Sequence, residues 1–467
     1  VKKDVVIVEP ASASANVFTM FNNLPLMGTL YLGTILKANG FNVRILNENI
    51  LKRKLTTLEL DADFLLISCL TPTVTRGYEI AREYKHLRPG GKVIMGGPHV
   101  SFMKEEAIQY ADHVVVGEGE NVIVDLLKYG TDEKFVYGSP VKVMDDLPFV
   151  DWSILQGGEK GYITSIMTSR GCPFACNFCS VTEMFGRSYR AMSPERVIEE
   201  VKRAQKKWIF FYDDNFTADL KRAHKIMDGM IDMGVKRKTW TTQVRADVSK
   251  DEELVEKMAR SGCDRVYIGF ESINTKTLKS LKKSQTPEDI SKAVEVLHKH
   301  KISVHGMFMY GSDSDDVTVP AETQVFVKKA KIDTVQYMIL TPMPGTQLYK
   351  KIESEDRLIH QNWEHYDGLH VVFWPEQFTP FSLQEYAMES FKNFYSLTSA
   401  ANEVFNTFTD KTVMHFARTV NKGKIHTYSL KNALFKAGGK FILNKWERIN
   451  DSYMNYLKQL GEAKTSK

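Results

Sequence analysis

Ser169-Arg170-Gly171-Cys172-Pro173-Phe174-Ala175-Cys176-Asn177-Phe178-Cys179 is the stretch from which the rest of this chain can be read. Its C-x3-C-x2-C spacing supplies three thiolates, with an aromatic, Phe178, just before the last. A cuboidal 4Fe–4S cluster held by three thiolates keeps one iron without a protein ligand, and such an iron can chelate a small molecule. Zinc sites usually take four ligands, often as two C-x2-C pairs. An ordinary ferredoxin also wants four thiolates per cluster. No fourth cysteine is near, the other two being Cys69 and Cys263. A disulfide pair would leave an odd thiol, and five cysteines in a long chain do not make a secreted framework. Cys172, Cys176 and Cys179 therefore read as the metal ligands of an iron–sulfur cluster.

The chain has 467 residues, more than one typical domain holds, so two or three domains are expected. It is 43% hydrophobic and 25% charged, ordinary for a globular protein. No apolar run approaches the roughly 18 residues of a membrane span. The opening Val5-Val6-Ile7-Val8 is too short for a signal-peptide core and reads as a first strand. Reduced thiols in an iron–sulfur site fit a cytoplasmic, low-oxygen setting. The net charge of +5 is uneven: residues 411–467 carry +9 and the rest −4. The tail is the basic part, not the body.

From 1 to about 135, short apolar strands alternate with helical stretches. Val5–Val8, Asn42–Leu46, Phe64–Ser68, Lys92–Met95 and His113–Val116 are the candidate strands. This is the βαβ rhythm of a parallel, doubly wound sheet, which binds ligands at the carboxyl ends of its strands. The loops at those ends are distinctive: Pro25-Leu26-Met27-Gly28, Ser68-Cys69-Leu70-Thr71-Pro72, Gly96-Gly97-Pro98-His99 and Gly117-Glu118-Gly119-Glu120. Residues 136–158, with Pro140, Pro148, Asp145-Asp146 and Gly157-Gly158, read as a linker laid over the surface.

From 159 to 350 the β-then-α rhythm returns. The six expected strands are Ile163–Thr168, Trp208–Tyr212, Thr239–Val244, Arg265–Gly269, Ser303–Phe308 and Thr334–Leu340. Ser193-Pro194-Glu195 is an N-cap, a Pro at N1 and an acid in the first turn. Parallel barrels place their chemistry at the C-terminal strand ends, and here those ends are polar. The second gives Asp213-Asp214-Asn215, the third Gln243-Val244-Arg245, the fourth Gly269-Phe270-Glu271-Ser272. Alternation puts Gln243 and Arg245 on one face. Two structural roles compete with a binding role: helix capping by Asp214 or Asn215, and a barrel-mouth salt bridge for Arg245. The remainder, 351–467, is helical and aromatic-rich. Its Trp363–Gly368 and His370–Pro375 segments suggest a lid, in which Tyr366 and His370 either touch substrate or belong to a packed aromatic cluster. The stretch from Phe416 to Leu460 mixes Lys/Arg with aromatics, the composition of a membrane-surface helix or of the solvated face of a docked one. No ordered nucleic-acid motif is present.

The cysteine spacing resembles the signature of radical S-adenosylmethionine (SAM) enzymes, and the first 135 residues resemble the cobalamin-binding domain of one large subgroup of them. The resemblance covers residues 1 to about 350. It implies an α/β chain in three parts: a Rossmann-like cobalamin-binding domain (1–135), a partial (β/α)6 TIM-like radical SAM core (159–350) and a helical C-terminal region (351–467). It implies that the open iron binds SAM, whose reductive cleavage yields a 5′-deoxyadenosyl radical. Phe178, Asp213, Asp214, Asn215, Gln243, Arg245, Glu271, Ser272 and Met307 fall where the family contacts SAM. Pro25, Ser68, Leu70, Thr71, Gly96, Gly97, His99, Gly117 and Glu118 fall where the subgroup wraps cobalamin.

One departure is that the Asp-x-His-x-x-Gly motif is absent; the chain reads Glu9-Pro10-Ala11-Ser12-Ala13-Ser14. The implied cobalt has no lower His ligand, or cobalamin binding has been lost. The implied reaction is methylation of an unactivated carbon in a small molecule such as a lipid or tetrapyrrole, with a ferredoxin or flavodoxin as reductant and peripheral membrane contact left open. Ring closure, hydroxylation or C–C coupling without methyl transfer is the alternative, and a non-catalytic electron carrier the remaining one. A tRNA methylthiotransferase would need three extra N-terminal cysteines, and only Cys69 precedes the core.

Overall fold

The computed structural model describes residues 2–12, 24–158, 161–234, 238–399, 401 and 424–465. Ala13, Ser14 and the basic residues 411–423 lie outside the described residues. The first sheet has six parallel strands: β1 (Asp4–Glu9), β2 (Asn42–Asn47), β3 (Phe64–Ser68), β4 (Lys92–Gly96), β5 (His113–Val116) and β6 (Phe135–Tyr137). Their order is β2-β1-β3-β4-β5-β6. Helices cover both faces, so Val5, Val6, Ile7 and Val8 are all buried and the strand reads as an unbroken apolar run. The order reverses between β1 and β3, and the ligand crevice of such a sheet opens at that switch point.

The sixth strand corrects the expected surface linker. Phe135–Tyr137 pairs with β5. The following residues bury Val141, Met144, Leu147, Ile154 and Leu155 in the core. Gln156 N donates to Ile45 O (3.0 Å), stitching the segment back onto β2. Its prolines, glycines and paired acids shape the turns, while Val141, Met144, Leu147, Ile154 and Leu155 between them face inward.

The second sheet follows: β7 (Ile163–Ile166), a two-stranded ribbon of β8 (Ser169–Arg170) with β9 (Arg190–Ala191), then β10 (Trp208–Phe211), β11 (Thr239–Val244), β12 (Cys263–Glu271), β13 (Ser303–Tyr310) and β14 (Thr334–Ile339). The six long strands run in parallel in the order β14-β13-β12-β11-β10-β7, each beside its neighbour in sequence. That is the expected (β/α)6 part-barrel. Ser193 caps its helix as expected, accepting from Arg196 N at 3.1 Å.

The C-terminal part closes over both units. Trp363 and Tyr366 are buried, and the Tyr366 hydroxyl donates to His360 O (2.7 Å). The long helix Lys424–Thr465 buries Leu443, Trp446, Tyr453 and Leu457. Among the described residues no helix is long and apolar enough to cross a membrane. Tyr366 and His370 belong to a packed cluster. His370 is buried, its Nδ1 2.9 Å from Asp367 Oδ1 and its Nε2 2.6 Å from Asn450 Oδ1. Asn450 donates its amide to Trp446 O (2.8 Å), so its oxygen faces His370 and both ring nitrogens must donate. Burial opposes that charge, but Asp367 outweighs it and the His370 pKa is raised.

A raised folded pKa means that the His370 contribution to stability is complete below the unfolded value of about 6.5 and is lost as pH rises through the folded value. The urea midpoint of wild type minus that of His370→Gln is therefore expected to shrink as pH rises above about 6.5. A difference that stayed flat or grew would contradict the protonated assignment.

Candidate functional site

The cysteine loop springs from the end of β7 and is rooted by the end of β10. Asp213, wholly buried, accepts from Thr168 N (2.6 Å), from Ser169 N (3.2 Å) and from the Thr168 hydroxyl. Arg222 donates to Thr168 O (3.0 Å) and Met192 O (2.7 Å), fixing the same corner. Burial raises the Asp213 carboxyl, while Arg222 and the hydrogen bonds pull it down. All the side-chain bonds of Asp213 go to the loop root, which corrects its expected place as a SAM contact. Its carbonyl is instead held by Gln243 Nε2 at 3.2 Å.

Cys172, Cys176 and Cys179 are half-buried and free. Burial raises all three thiols, Cys179 to about 11. The three lie close enough that Cys172 and Cys176 raise Cys179 further. Arg245 and Lys283 act in the opposite sense on Cys176. Three neighbouring thiols on one loop, with cations at hand to stabilise thiolates, form a soft donor set that loses its protons on meeting a metal. The set fits an iron–sulfur cluster.

Around it stand the polar strand ends. The Arg245 guanidinium lies 3.7 Å from the centre of the Phe174 ring, with Nε 3.4 Å from Asp247 Oδ2. It is thus tied to the cysteine loop itself. Asp214 is exposed, yet the surrounding protein and the nearby Asp213 raise its carboxyl to about 6, against a hydrogen bond from the Gly171 backbone. Glu271 has a left-handed backbone (φ 61°) where β12 slips register against β13, and its Oε1 lies 2.7 Å from Lys283 Nζ. Gly269 makes room for that carboxylate, since a Cβ there would sit 2.3 Å from Oε1. Asn215 accepts from the Thr217 hydroxyl (3.2 Å) and Ser272 from Asn274 N (3.0 Å), both turn-forming bonds. Met307 is half-buried on β13. Phe178 packs on Leu281, Met309 and Leu340, with Met338 and Leu348. Leu281 and Lys283 carry no signal in the sequence, because only the barrel's closure brings them to the loop.

On the first sheet, Pro25 is buried and opens the helix Met27–Ala38. Leu26 N donates to Glu9 Oε2 (3.1 Å), and Thr29 and Asn47 also bind Glu9. Burial lifts this carboxyl to about 7. Gly97 has φ 98°, and a Cβ would lie 2.8 Å from Cys69 O and 3.1 Å from Ser68 Oγ, so the loops after β3 and β4 touch. Leu70 N donates to Thr73 Oγ1 (3.2 Å). Gly96 ends β4, and Gly117 N donates to Ser101 Oγ (3.1 Å). His99 is wholly buried, 3.3 Å from Thr71 Oγ1, with its ring against Trp363. Glu118 departs from its expected role as well. Its carboxylate binds Arg170 and Arg190 of the second unit.

These contacts set the carboxyl edges of the two sheets face to face. Arg170, beside the cysteines, meets the loop after β5. Gly345, beyond β14, packs on Phe102, beyond β4. Burial raises the pKa of Tyr212 at the end of β10, and Glu9 at the end of β1 adds to it.

The B12 binding domain model matches residues 14–127, and the Radical SAM superfamily model matches 166–318. The chain is 30% identical over 395 residues to bacteriochlorophyllide d C-12(1)-methyltransferase of Chlorobaculum tepidum, covering 80% of this chain and 84% of that one. This chain belongs to the radical SAM superfamily, in the group with a B12-binding domain. Anaerobic magnesium-protoporphyrin IX monomethyl ester cyclase of Rubrivivax gelatinosus is 25% identical over 420 residues (80% of this chain, 74% of that one). The structure of the cobalamin-dependent SAM radical enzyme OxsB superposes with a TM-score of 0.65 at 16% identity, over 97% of this chain and 81% of that one, and shares the fold. This radical SAM enzyme uses a 4Fe–4S cluster, SAM and cobalamin.

Replacing Asp213 by Asn puts an amide where three donors point. The variant is expected to lose about 2–3 kcal/mol of stability in denaturant unfolding; an unchanged midpoint would show that Asp213 does not root the cysteine loop.

Proposed function

We propose that this enzyme transfers a methyl group from cobalamin to an unactivated carbon of a tetrapyrrole- or lipid-like small molecule. The observation that carries this reading is the apposition of the two carboxyl edges. Methyl transfer needs the cobalamin face and the radical source to address one substrate, and the contacts of Arg170 with Glu118 and Glu120 and of Gly345 with Phe102 hold the two edges against each other. When bound, the cluster and SAM supply a 5′-deoxyadenosyl radical and cobalamin supplies the methyl group. The chain's own residues hold and orient. Cys172, Cys176 and Cys179 are the cluster ligands. Asp214 and Glu271 offer carboxylates to the SAM ammonium and ribose, and Arg245 a guanidinium to its carboxylate. Phe178, Met307 and Met309 give an apolar wall that keeps water away. The loops at Ser68, Gly97 and Gly117 are the cobalamin contacts. Cobalamin held by these loops would find no free histidine in them, since His99 is wholly buried against Trp363 and residues 10–26 contain none.

The similarity to bacteriochlorophyllide methyltransferases favours a chlorin-like substrate. The similarity to the ester cyclase keeps ring closure as the second reading. All five cysteines are free, which fits a reducing, cytoplasmic setting with a one-electron donor such as ferredoxin or flavodoxin. Peripheral contact with an anionic membrane is supported by Leu434, Phe441, Ile449 and Tyr456, exposed along one side of the long helix with Lys440, Lys445 and Arg448 around them.

Anaerobic enzyme given deuteromethyl-SAM, hydroxocobalamin, a reductant and a chlorin is expected to place the deuterated methyl group in the product. An unlabelled, ring-closed product would select the second reading instead. The triple variant Cys172→Ala/Cys176→Ala/Cys179→Ala is expected to hold no cluster and cleave no SAM; residual cleavage would refute the ligand assignment. Bound cobalamin should show a visible spectrum without a histidine lower ligand. Binding to phosphatidylglycerol vesicles is expected to fall about tenfold in Phe441→Asp, and equal sedimentation of variant and wild type would exclude this face.

A further inference from the structure

We propose that Glu118 is a positioning residue for the iron–sulfur cluster, a carboxylate lent by the B12-binding unit that holds shut the base of the cysteine loop. The inference rests on Cys172, Cys176 and Cys179 holding the cluster. Arg170 and Arg190 stand directly opposite each other in the β8–β9 ribbon. Everything between them, residues 171–189, is the excursion that carries the three cysteines. Like charges directly opposite in an antiparallel pair repel. A ribbon of two residues a side has little hydrogen bonding with which to resist. Water screens this pair poorly, the Arg170 and Arg190 side chains being 5% and 11% exposed.

The counter-charge comes from the other unit. Glu118 Oε2 accepts from Arg170 Nη1 (2.7 Å) and Arg190 Nη1 (3.1 Å), and Glu118 Oε1 from Arg190 Nη2. Glu120 accepts from Arg170 Nη2. Two guanidiniums thus meet two carboxylates, and the buried group is neutral as a whole. Glu118 has little freedom to move. Val141 N donates to it at 2.9 Å, and Gly138 lies so close that a Cβ there would sit 1.8 Å from the Glu118 carbonyl oxygen. On the far side, Arg170 runs straight into Gly171-Cys172. Gly171 has φ 84°, and a Cβ on it would lie 2.3 Å from Ser188 O, so the two feet of the loop touch. Spreading the arginines therefore displaces Cys172 directly. Neither unit alone contains both the loop and the charge that closes it.

The test compares wild type, Glu118→Gln and Glu118→Gln/Arg190→Gln, all reconstituted with iron and sulfide in the absence of SAM. The readouts are the rate at which bathophenanthroline strips iron and the EPR signal of the reduced cluster. Removing a group that orients metal ligands typically weakens a site about 10–100-fold, so Glu118→Gln is expected to lose iron at least about tenfold faster than wild type. The second substitution removes one of the opposed charges and is expected to slow the loss again, which a simple packing defect would not do. Equal rates in wild type and Glu118→Gln, or further acceleration in the double variant, would overturn the proposal. If Glu118→Gln does not fold by circular dichroism, Glu120→Gln, which leaves Arg190 paired, takes its place; faster loss reversed by Arg170→Gln supports the proposal and an unchanged rate overturns it. A wild type that holds no cluster defeats the cysteine assignment. A wild type that holds one, with variants that release it no faster, defeats this inference alone.

Discussion

The structure depends on a buried cluster of two arginines and two glutamates, Arg170 and Arg190 against Glu118 and Glu120, that joins the carboxyl edge of one sheet to that of the other. Such clusters contribute little net stability, because desolvating four charges costs nearly what their attraction returns. What they specify is geometry: a guanidinium fork meets a carboxylate in few orientations. Burial alone would raise the Glu118 carboxyl, yet Arg190, Val141 N and Arg170 hold it below its ordinary value, so it stays charged in place. With this corner set, the loop after β5 and the loop after β7 cannot slide past each other.

The remaining contacts extend the same apposition. Phe102 against Gly345 closes one side, and Leu348 N on Asn177 O (3.1 Å) ties the last barrel helix to the cysteine loop. Trp363 donates to Glu106 (3.0 Å) and covers His99, so the C-terminal part braces the first sheet while Met338 meets Gly368 above the barrel. A radical reaction demands this arrangement. Reactive species must be formed, used and quenched in one enclosed place, and a loose joint between the cofactor-bearing units would admit solvent and oxygen.

Much of this was legible in the linear chain. The cysteine spacing, Ser193-Pro194-Glu195 and the recurring apolar strands are local signals, and each expected strand of both sheets is present. The failures share one cause. Residues 136–158 looked like a surface linker because Pro, Gly and Asp mark turns, but turn residues do not say whether the side chains between them face a core. Asp213 and Glu118 lay in the expected loops and were misread in role: a carboxylate looks alike whether it awaits a ligand or already holds a backbone amide or an arginine. Lys283 carried no local signal at all.

The sequence by itself determined the chemistry that is local in the chain: three thiols on one loop, two β/α repeats, and glycines where the loops of the first sheet must approach each other closely. It did so because spacing and period are properties of neighbouring residues. Only the tertiary structure decided which charges are spent and which remain open. Asp213 is spent on Thr168 and Ser169, Glu118 on two arginines and His370 on Asp367, while Asp214 is exposed. The physical reason is that a buried charge is defined by its partner, and the partners of Asp213 and Glu118 lie tens of residues away in the chain and meet only when the fold has closed.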